Sequence, residues 1–385
     1  MKLWFSKEQE ELKSIVRKIA LGKILPKREY YDETEEFPWE TVKELSSAGL
    51  FKVYIPKEYG GDGKGVTELC IVTEELSRIC GGTALAYAGT ALGSYPILLF
   101  GNAEQKIKYL PSIAKGEKLA AFGLTEANAG SDVSAIQTQA KPIEGGYILN
   151  GTKQWITNGG EAEIYTIIAV TDKTKGARGA SAFIIEKGFK GFSFGKKEKK
   201  MGIRASATRE LVFNDCFVPE ENLLSREGYG FIVAMKTFDK TRPGVAAQAL
   251  GIAQGALDEA LIYSKKREQF GKSISSFQDV QFKLADMATQ IEAARALIYS
   301  VARLIDSGAE RVSKVSSMAK VFSSDLAVKL TSMALQIFGG YGYLRNYPVE
   351  KMMRDAKITQ IYEGTNEIQR NIIALNLIKE IAARK

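Results

Sequence analysis

The chain has 385 residues, 45% of them hydrophobic and 25% charged, with a net charge of +8 and no histidine. Without an imidazole, Ser-His-Asp and Cys-His catalysis are excluded and a zinc site is disfavoured, so a general base must be Glu, Asp, Lys, Tyr or Cys. The basic residues form only short clusters among acidic ones, which argues against a nucleic-acid binder.

The cysteines and the N-terminus indicate the compartment. Cys70, Cys80 and Cys216 lack metal-ligand spacing, and the N-terminus turns acidic at once. This pattern predicts reduced thiols, no metal site, no secretory signal and a cytoplasmic location. Residues 79–103 carry no charge and are long enough to span a bilayer, but glycines and Pro96 interrupt them. We expect a buried helix that walls an apolar pocket, and no membrane span.

The first part of the chain has helical periodicity. Ser6 and Gln9 form a capping-box pattern, which predicts a helix that ends before Pro26. Pro38 and Gly49 bracket a second helix as its first residue and its C-terminal stop. Apolar spacing predicts three more helices, over 66–79, 85–100 and 103–114. Residues 1–118 are therefore predicted to form an α-helical domain.

The periodicity of the apolar residues then changes twice along the chain. Short β-rich runs separated by glycine turns predict a small antiparallel barrel or sandwich domain over 119–228, with strands at 118–125, 147–149, 164–170, 182–185 and 211–217. Helical periodicity returns after Gly230 and predicts a C-terminal four-helix bundle over 229–385, with helices at 231–265, 276–307, 312–338, near Val349 and from Glu367 to about Ala383. The fold class is mainly α with a central β domain.

One carboxylate stands out near the C-terminus. Glu363 follows Ile361 and Tyr362 and precedes Gly364, which lets the backbone turn. Asn366, with Gln369 three residues on, has the pattern of an N-cap and its capping-box partner. The sequence thus predicts Glu363 in a tight turn before a helix N-terminus, where a base with a tuned pKa fits. The alternative is a surface glutamate favoured by the helix dipole.

This region resembles a known family signature. Residues 354–357 (RDAK) and 361–365 (IYEGT) are similar to the signature of the acyl-CoA dehydrogenases, flavoenzymes that oxidise acyl-CoA thioesters to trans-2-enoyl-CoA. The resemblance implies that Glu363 is the catalytic base. It also places Tyr362 and Gly364 beside the substrate and places three following residues near the flavin: Thr365, Asn366 and Glu367.

Two further motifs resemble the flavin-binding elements of that family. In residues 122–132 (FGLTEANAGSD), the resemblance implies that Phe122, Leu124 and Thr125 contact the isoalloxazine and that Ser131 contacts flavin or CoA phosphates; the family often has Pro at the place of Ala127. In residues 155–158 (WITN), it implies a flavin contact for three residues, Trp155, Ile156 and Thr157, the last bonding toward N5. From the residues alone, an ordinary Gly/Asn turn and a core tryptophan are the alternatives.

The long helix after Gly230 supplies the predicted substrate channel. Residues 238–242 (FDKTR) are by themselves a helix start with ion pairs. The resemblance implies that Phe238, Asp239 and Arg242 line the CoA thioester channel. Some relatives carry their base at the place of Thr241; threonine is no such base, which leaves Glu363.

The segment 267–273 contains a Gly-Lys-Ser run that lacks the first glycine and the preceding strand of a P-loop. It resembles instead the Arg-x-x-Phe-Gly turn of the family. The resemblance implies that this turn holds the FAD pyrophosphate of a neighbouring subunit through Arg267, Phe270 and Gln278. The adenine end is then held by Gln336, Phe338, Gly339 and Gly340.

The resemblance therefore predicts FAD as cofactor, an acyl-CoA substrate, an electron-transfer flavoprotein as electron acceptor and a homotetramer. In that mechanism Glu363 takes the α-proton, and its own backbone N–H with a ribityl hydroxyl stabilises the enolate oxygen. Small residues at Ala84, Ala86, Ala88, Gly89 and Ala91 either leave room for an acyl chain or serve close helix packing. A short to medium straight chain is favoured. The alternatives are a branched, cyclic or aromatic acyl-CoA, a flavin oxidase or monooxygenase, and a helical binding protein without catalysis.

Overall fold

The structure, a computed structural model, describes residues 5–383. Its first part is helical, with α1 Lys7–Ile19, α2 Arg28–Thr34, α3 Trp39–Ser47, α4 Val66–Ser77, α5 Gly81–Phe100 and α6 Ala103–Ala114. The Ser6–Gln9 capping box is confirmed, with the Gln9 N–H donating to Ser6 Oγ at 3.2 Å. The helical path does not stop before Pro26, because a π-turn over Ala20–Ile24 and a 3-10 turn over Leu25–Lys27 carry it on to α2. Pro38 lies one residue before α3, at its N-cap.

Helix α5 crosses the centre of the molecule. It begins at Gly81, four residues before the predicted start at 85, and Pro96 lies within it. A Cβ at Gly93 would overlap the backbone of Ala121, so the glycine lets α5 lie directly on the first strand of the sheet. Within residues 5–383, α5 is the one helix long and apolar enough to cross a membrane. Because 72% of its most apolar window is buried inside the protein, it has the burial of a core helix.

The middle of the chain forms a mixed sheet with strands β1 Ala120–Gly123, β2 Gln139–Ile143, β3 Gly146–Thr157, β4 Ile164–Val170, β5 Ala180–Glu186, β6 Phe192–Lys197, β7 Thr208–Pro219 and β8 Leu223–Leu224. The order is β6-β7-β3-β2-β4-β5-β8, and β1 pairs with β4. The sheet is not purely antiparallel, because β1 runs parallel to β4. The sequence missed β2, whose only buried residue is Ala140, because too few of its side chains are apolar to give a periodic signal.

The last part contains α7 Gly230–Lys266, a short hairpin of β9 Glu268–Gln269 and β10 Lys272–Ser273, α8 Gln278–Asp306, α9 Ser313–Phe338, α10 Pro348–Lys357 and α11 Asn366–Ala382. The helical–β–helical order predicted from the sequence is confirmed. One hydrophobic cluster runs from Val16 to Ala356 through all three regions. Helix α7 packs on α4, α5, α8 and α9 and so joins the first region to the last.

Candidate functional site

A cavity of about 490 Å³ lies where the three regions meet. Its walls come from α4, α5, the segment after β1, the end of β3, α7 and the turn before α11. Most of the predicted site residues line it, namely Phe122, Leu124, Thr125, Ser131, Trp155, Ile156, Thr157, Phe238, Arg242, Tyr362, Glu363 and Gly364. Residues separated by more than 200 positions in the chain are therefore brought to one site.

Glu363 is partly buried and lines this cavity. Its φ of 51° is followed by a φ of 89° at Gly364, so two consecutive residues adopt the left-handed region and the chain reverses sharply. Thr241, on α7, donates its hydroxyl to Glu363 Oε2 at 2.8 Å. The carboxylate thus has a fixed orientation, as an enzymatic base requires.

Burial raises the pKa of Glu363 to about 7, because removal from water disfavours the charged form. The Thr241 hydrogen bond and the positive charges of Arg242 and Lys320 act in the opposite direction and lower the pKa. The predicted position of Glu363, in a tight turn directly before the last helix, is confirmed. A group with this pKa both holds and releases a proton at neutral pH.

Donors from three helices fix the carbonyl groups of this turn. Gln369 donates to the carbonyl oxygens of Glu363 at 3.1 Å and Gly364 at 3.0 Å. Arg242 approaches the Glu363 carbonyl at 3.4 Å, and Lys320 donates to the Gly364 carbonyl at 2.9 Å. Within residues 5–383 the backbone N–H of Glu363 has no acceptor, so it is available to a ligand oxygen.

The predicted N-cap of the last helix is wrong. The cap is Thr365, whose hydroxyl accepts from the Ile368 N–H at 3.3 Å. Asn366 is instead buried, and its side-chain amide donates to Ser324 Oγ at 2.9 Å and Asp325 Oδ1 at 2.7 Å. Tertiary partners on α9 outcompete the local capping interaction. Neither Thr365, Asn366 nor Glu367 lines the cavity, and Glu367 is exposed.

The predicted channel residues on α7 have different positions. Phe238 and Arg242 line the cavity, with the Arg242 guanidinium 5.6 Å from the Phe238 ring centre. Asp239 does not line it; it is buried, and its carboxylate accepts from Arg242 at 3.3 Å. Burial raises the pKa of Asp239, while Arg242 lowers it. Asp239 therefore contacts Arg242 behind the cavity wall.

A buried ion pair fixes the loop that follows β1. Lys153, fully buried, donates to Glu126 Oε1 at 2.7 Å and to the Leu124 carbonyl at 2.9 Å. Glu126 also accepts the backbone N–H groups of Gln137 at 2.7 Å and Thr138 at 2.9 Å. This network fixes the backbone of Leu124 and Thr125 at the cavity wall.

Trp155 and Thr157 both reach the cavity, although not by regular strand alternation. The register of β3 against β7 shifts between Lys153 and Ile156, and Trp155 has a φ of 58°. The bulge leaves the Trp155 ring 55% exposed at the cavity. The hydroxyls of Thr125, Ser131 and Thr157 have no partner among residues 5–383. An exposed planar ring beside unpaired hydroxyls fits a polar, planar ring system such as an isoalloxazine.

The remaining predicted cofactor residues lie at a second place, outside this cavity. A separate groove is lined by Arg267, Phe338, Gly339 and Gly340 together with Tyr263 and Tyr341. Phe270 is 92% exposed, and Gln278 and Gln336 are also exposed. Within one chain, these predicted cofactor residues therefore do not line the first cavity.

The structure also shows residues that the motifs did not single out. Gln248, on α7, donates to the Gly81 carbonyl at 3.0 Å and accepts the hydroxyl of Tyr362, which fixes that ring in the cavity wall. Lys153 lay inside a recognised motif without a predicted role. Lys320, on α9, is 44 residues from Gly364, whose carbonyl it contacts, and no local pattern connects the two.

Some of the small residues of α5 leave room in the cavity, and others permit close packing in the core. Ala88, Gly89 and Ala91 line the cavity. Ala84 and Ala86 are buried away from it and pack in the core. A Cβ at Gly89 would lie 2.8 Å from Thr157 Cγ2, so this glycine also permits the approach of β3.

Comparison with known proteins places this geometry in a family. Three family models match the chain: acyl-CoA dehydrogenase N-terminal domain over residues 6–117, middle domain over 121–216 and C-terminal domain over 228–378. A relative named "Acyl-CoA dehydrogenase, short-chain specific" from Clostridium acetobutylicum is 50% identical over 370 residues, which cover 96% of this chain and 97% of the relative.

Two solved structures have the same fold. The butyryl-CoA dehydrogenase of Megasphaera elsdenii superposes with a TM-score of 0.95 at 47% identity, covering 98% of this chain and 100% of that one. A chain in a structure described as the electron transferring flavoprotein of Acidaminococcus fermentans gives a TM-score of 0.96 at 49% identity, covering 98% of this chain and 99% of that one. The placement of one carboxylate at the cavity, the three-part architecture and these matches lead to one conclusion: the chain belongs to the acyl-CoA dehydrogenase family.

Proposed function

We propose that this protein catalyses the FAD-dependent α,β-dehydrogenation of a short- to medium-chain acyl-CoA to the trans-2-enoyl-CoA. The observation that carries the proposal is Glu363, a carboxylate with a pKa of about 7 that lines the central cavity and is oriented by Thr241. The names of the short-chain and butyryl-CoA relatives support the substrate class. The family to which the chain belongs depends on FAD.

Glu363 acts as the base that removes the α-proton of the thioester. The α-C–H bond is a weak acid, so the developing enolate oxygen needs donors, each worth a few kcal/mol (~3 kcal/mol) of barrier lowering. The free N–H of Glu363 is one such donor. When a thioester fills the cavity and excludes water, the pKa of Glu363 rises further, which strengthens the base.

FAD, when bound, supplies the two-electron oxidant for the β-carbon. The residues that would hold its ring are Phe122, Leu124, Thr125, Trp155 and Thr157, whose hydroxyls and exposed ring suit it. Ile156 and Ser131, which also line the cavity, would complete this set, Ser131 as a contact of the flavin or CoA phosphates. Phe238, Arg242, Tyr362 and Gly364 would contact the thioester, and Asp239 would act by orienting Arg242.

The same family membership supports our proposals for the partner, the assembly and the location. We propose an electron-transfer flavoprotein as the acceptor, which the description of the Acidaminococcus fermentans structure supports. A cytoplasmic homotetramer would bring the second groove with Arg267, and the exposed residues Phe270 and Gln278, to the FAD of a neighbouring subunit. Gln336, Phe338, Gly339 and Gly340 would then approach its adenine end, with Thr365, Asn366 and Glu367 nearby. The proposed domains are 1–118, 119–228 and 229–385.

Glu363→Gln tests the catalytic assignment. The amide keeps the size and the Thr241 contact but does not accept the proton, so the variant should bind FAD and acyl-CoA normally while the flavin is no longer bleached by substrate. Anaerobic stopped-flow spectroscopy measures the bleaching. Glu144→Gln, in the exposed turn between β2 and β3, is the matched control and should bleach at the wild-type rate.

Rapid bleaching by Glu363→Gln would contradict the assignment of the base. A screen of straight, branched, cyclic and aromatic acyl-CoA esters with an artificial electron acceptor fixes the substrate. Peroxide formed rapidly with air as the only acceptor would identify a flavin oxidase instead.

A further inference from the structure

Lys320 is a buried lysine with an uncommon set of partners. Its side chain is completely buried on α9, and Nζ donates to the Gly364 carbonyl at 2.9 Å and to Asn366 Oδ1 at 2.9 Å. These two acceptors flank Thr365 in the turn that follows Glu363. One ammonium therefore bridges the residue after the base and the first residue of α11.

This lysine has no carboxylate within ion-pair distance in the part of the chain the structure describes. Burying an ammonium without a paired anion is costly, and a neutral donor would satisfy the same two oxygens. The other buried lysines are paired at close range: Lys153 with Glu126 at 2.7 Å and Lys351 with Asp355 at 2.5 Å. A structural role alone does not account for the charge at Lys320.

The carboxylate that acts most strongly on Lys320 is that of Glu363. Burial lowers the pKa of Lys320 to about 7, and the charge of Glu363 opposes this decrease. In return, the charge of Lys320 lowers the pKa of Glu363. Each group therefore favours the charged form of the other across the Gly364 peptide.

We propose that Lys320 is a positioning residue for the acyl-CoA dehydrogenation reaction, which holds the Glu363–Gly364 turn through its two hydrogen bonds and keeps Glu363 ionised through its charge. This inference rests on the proposed function of Glu363 as the base. It differs from the roles of Gln369 and Arg242, since Gln369 is neutral and Arg242 has Asp239 as a partner.

Other groups around Lys320 and Glu363 also affect the pKa values of these two residues. Besides Glu363, the groups that act on Lys320 are Arg242, which disfavours its charge, and Asp325 and Glu367, which favour it. The groups that favour ionised Glu363 are Thr241, Arg242 and Lys320. Removing Lys320 takes away one of two cations that lower the pKa of Glu363, so that pKa must rise.

The test compares Lys320→Met with Lys329→Met. Met matches the length and apolar stem of lysine without its charge, and Lys329 is an exposed residue on the same helix. Anaerobic flavin bleaching by a saturating straight-chain acyl-CoA is measured between pH 6 and 9. We expect the midpoint of the rate–pH curve to move upward by at least one unit in Lys320→Met, which slows bleaching at pH 7 by about fivefold or more, and to stay unchanged in Lys329→Met.

Lys320→Gln keeps a hydrogen-bond donor and removes the charge, and it replaces the methionine variant in the test if that variant does not fold. It should also move the midpoint of the rate–pH curve upward. Lys320→Arg restores the charge and should return the midpoint toward wild type. Wild-type midpoints in both Met and Gln variants, with or without a lower melting temperature, would overturn the proposal and leave Lys320 a purely structural residue. If wild type itself is not bleached by any acyl-CoA, the proposed function fails instead, and the two failures are distinguishable.

Discussion

Glu363 shows how a single residue becomes reactive through its surroundings. An exposed glutamate ionises near pH 4, whereas burial at the cavity raises the pKa of this one to about 7. Thr241 and two cations limit the increase. The side chain stays a carboxylate at neutral pH in part of the molecules, so the reaction rate should increase as the pH rises through 7.

Thr241→Val tests the hydrogen bond that orients the base. Valine has the same shape, but Glu363 Oε2 loses its donor, which raises the pKa of Glu363 and should slow flavin bleaching about tenfold at pH 7, since a hydrogen bond to a charged group contributes ~1.5–3 kcal/mol. The rate should recover at higher pH. Stopped-flow rates across pH measure the effect.

Thr237→Val is the control for that substitution. Thr237 lies one turn earlier on α7, is also buried and does not line the cavity, and its hydroxyl has no partner among the residues that the structure describes. Its pH profile should match that of wild type. A Thr241→Val profile identical to the control would show that the hydrogen bond does not govern the base.

At the scale of elements, irregular backbone brings the site residues together. The bulge in β3 exposes the Trp155 ring, and the loop after β1 is fixed by the buried Lys153–Glu126 pair. In a regular strand, alternate side chains lie on opposite faces and the pairing with β7 would continue through Trp155. The strand thus gives up ladder hydrogen bonds where a ligand-facing ring is needed.

Glu126→Gln tests the support under the loop. The amide leaves the Lys153 ammonium buried without a counter-charge, which typically costs ~3–5 kcal/mol of unfolding free energy, and it loosens Leu124 and Thr125. We expect a lower melting temperature of the apoprotein and weaker FAD binding, measured by thermal unfolding and fluorescence titration.

Glu144→Gln, in an exposed turn of the same domain, is the control and should change neither quantity. The double variant Glu126→Gln/Lys153→Met should regain part of the lost stability, because it removes the unpaired charge. Unchanged stability in Glu126→Gln alone would show that the pair is not needed to hold the loop.

Elements with strongly apolar residues were predicted well from the sequence. Features that depend on contacts between segments far apart in the chain were predicted poorly. The strand over Ile164–Val170 matched its predicted bounds, because every residue in it is apolar or Thr and buried. Strand β2 was missed for want of apolar residues, and the N-cap at Asn366 failed because α9 supplies competing partners. Glu363 was found through its motif, but Lys320 and Gln248 were not, since their contacts join distant segments.

At the scale of the whole molecule, part of the exposed apolar surface lies on two helices of the last region. Leu375, Ile378 and Ile381 on α11 are 56%, 64% and 63% exposed, and Phe282 on α8 is 59% exposed. Apolar side chains exposed along one helix are typical of an interaction surface. They are consistent with the proposed tetramer, in which one chain completes the cofactor site of another.

Ile378→Asp tests that assembly. A carboxylate placed in an apolar interface is costly to bury, so the variant should sediment as smaller species and hold FAD more weakly while its helical content stays unchanged. Analytical ultracentrifugation and the flavin-to-protein ratio measure the two effects. Lys379→Asp, next to it on the exposed helix, is the control, and an intact tetramer in Ile378→Asp would remove this helix from the proposed interface.

The absence of histidine has a practical consequence for the study of proton transfer. Ordinary proteins take up and release protons at many imidazoles between pH 6 and 8, which hides any single event. Here Glu363, in the active-site turn, and Lys320, on α9 in contact with that turn, have pKa values of about 7. An indicator dye in weakly buffered solution would therefore report ligand-linked protonation of this turn against a background without imidazole titration.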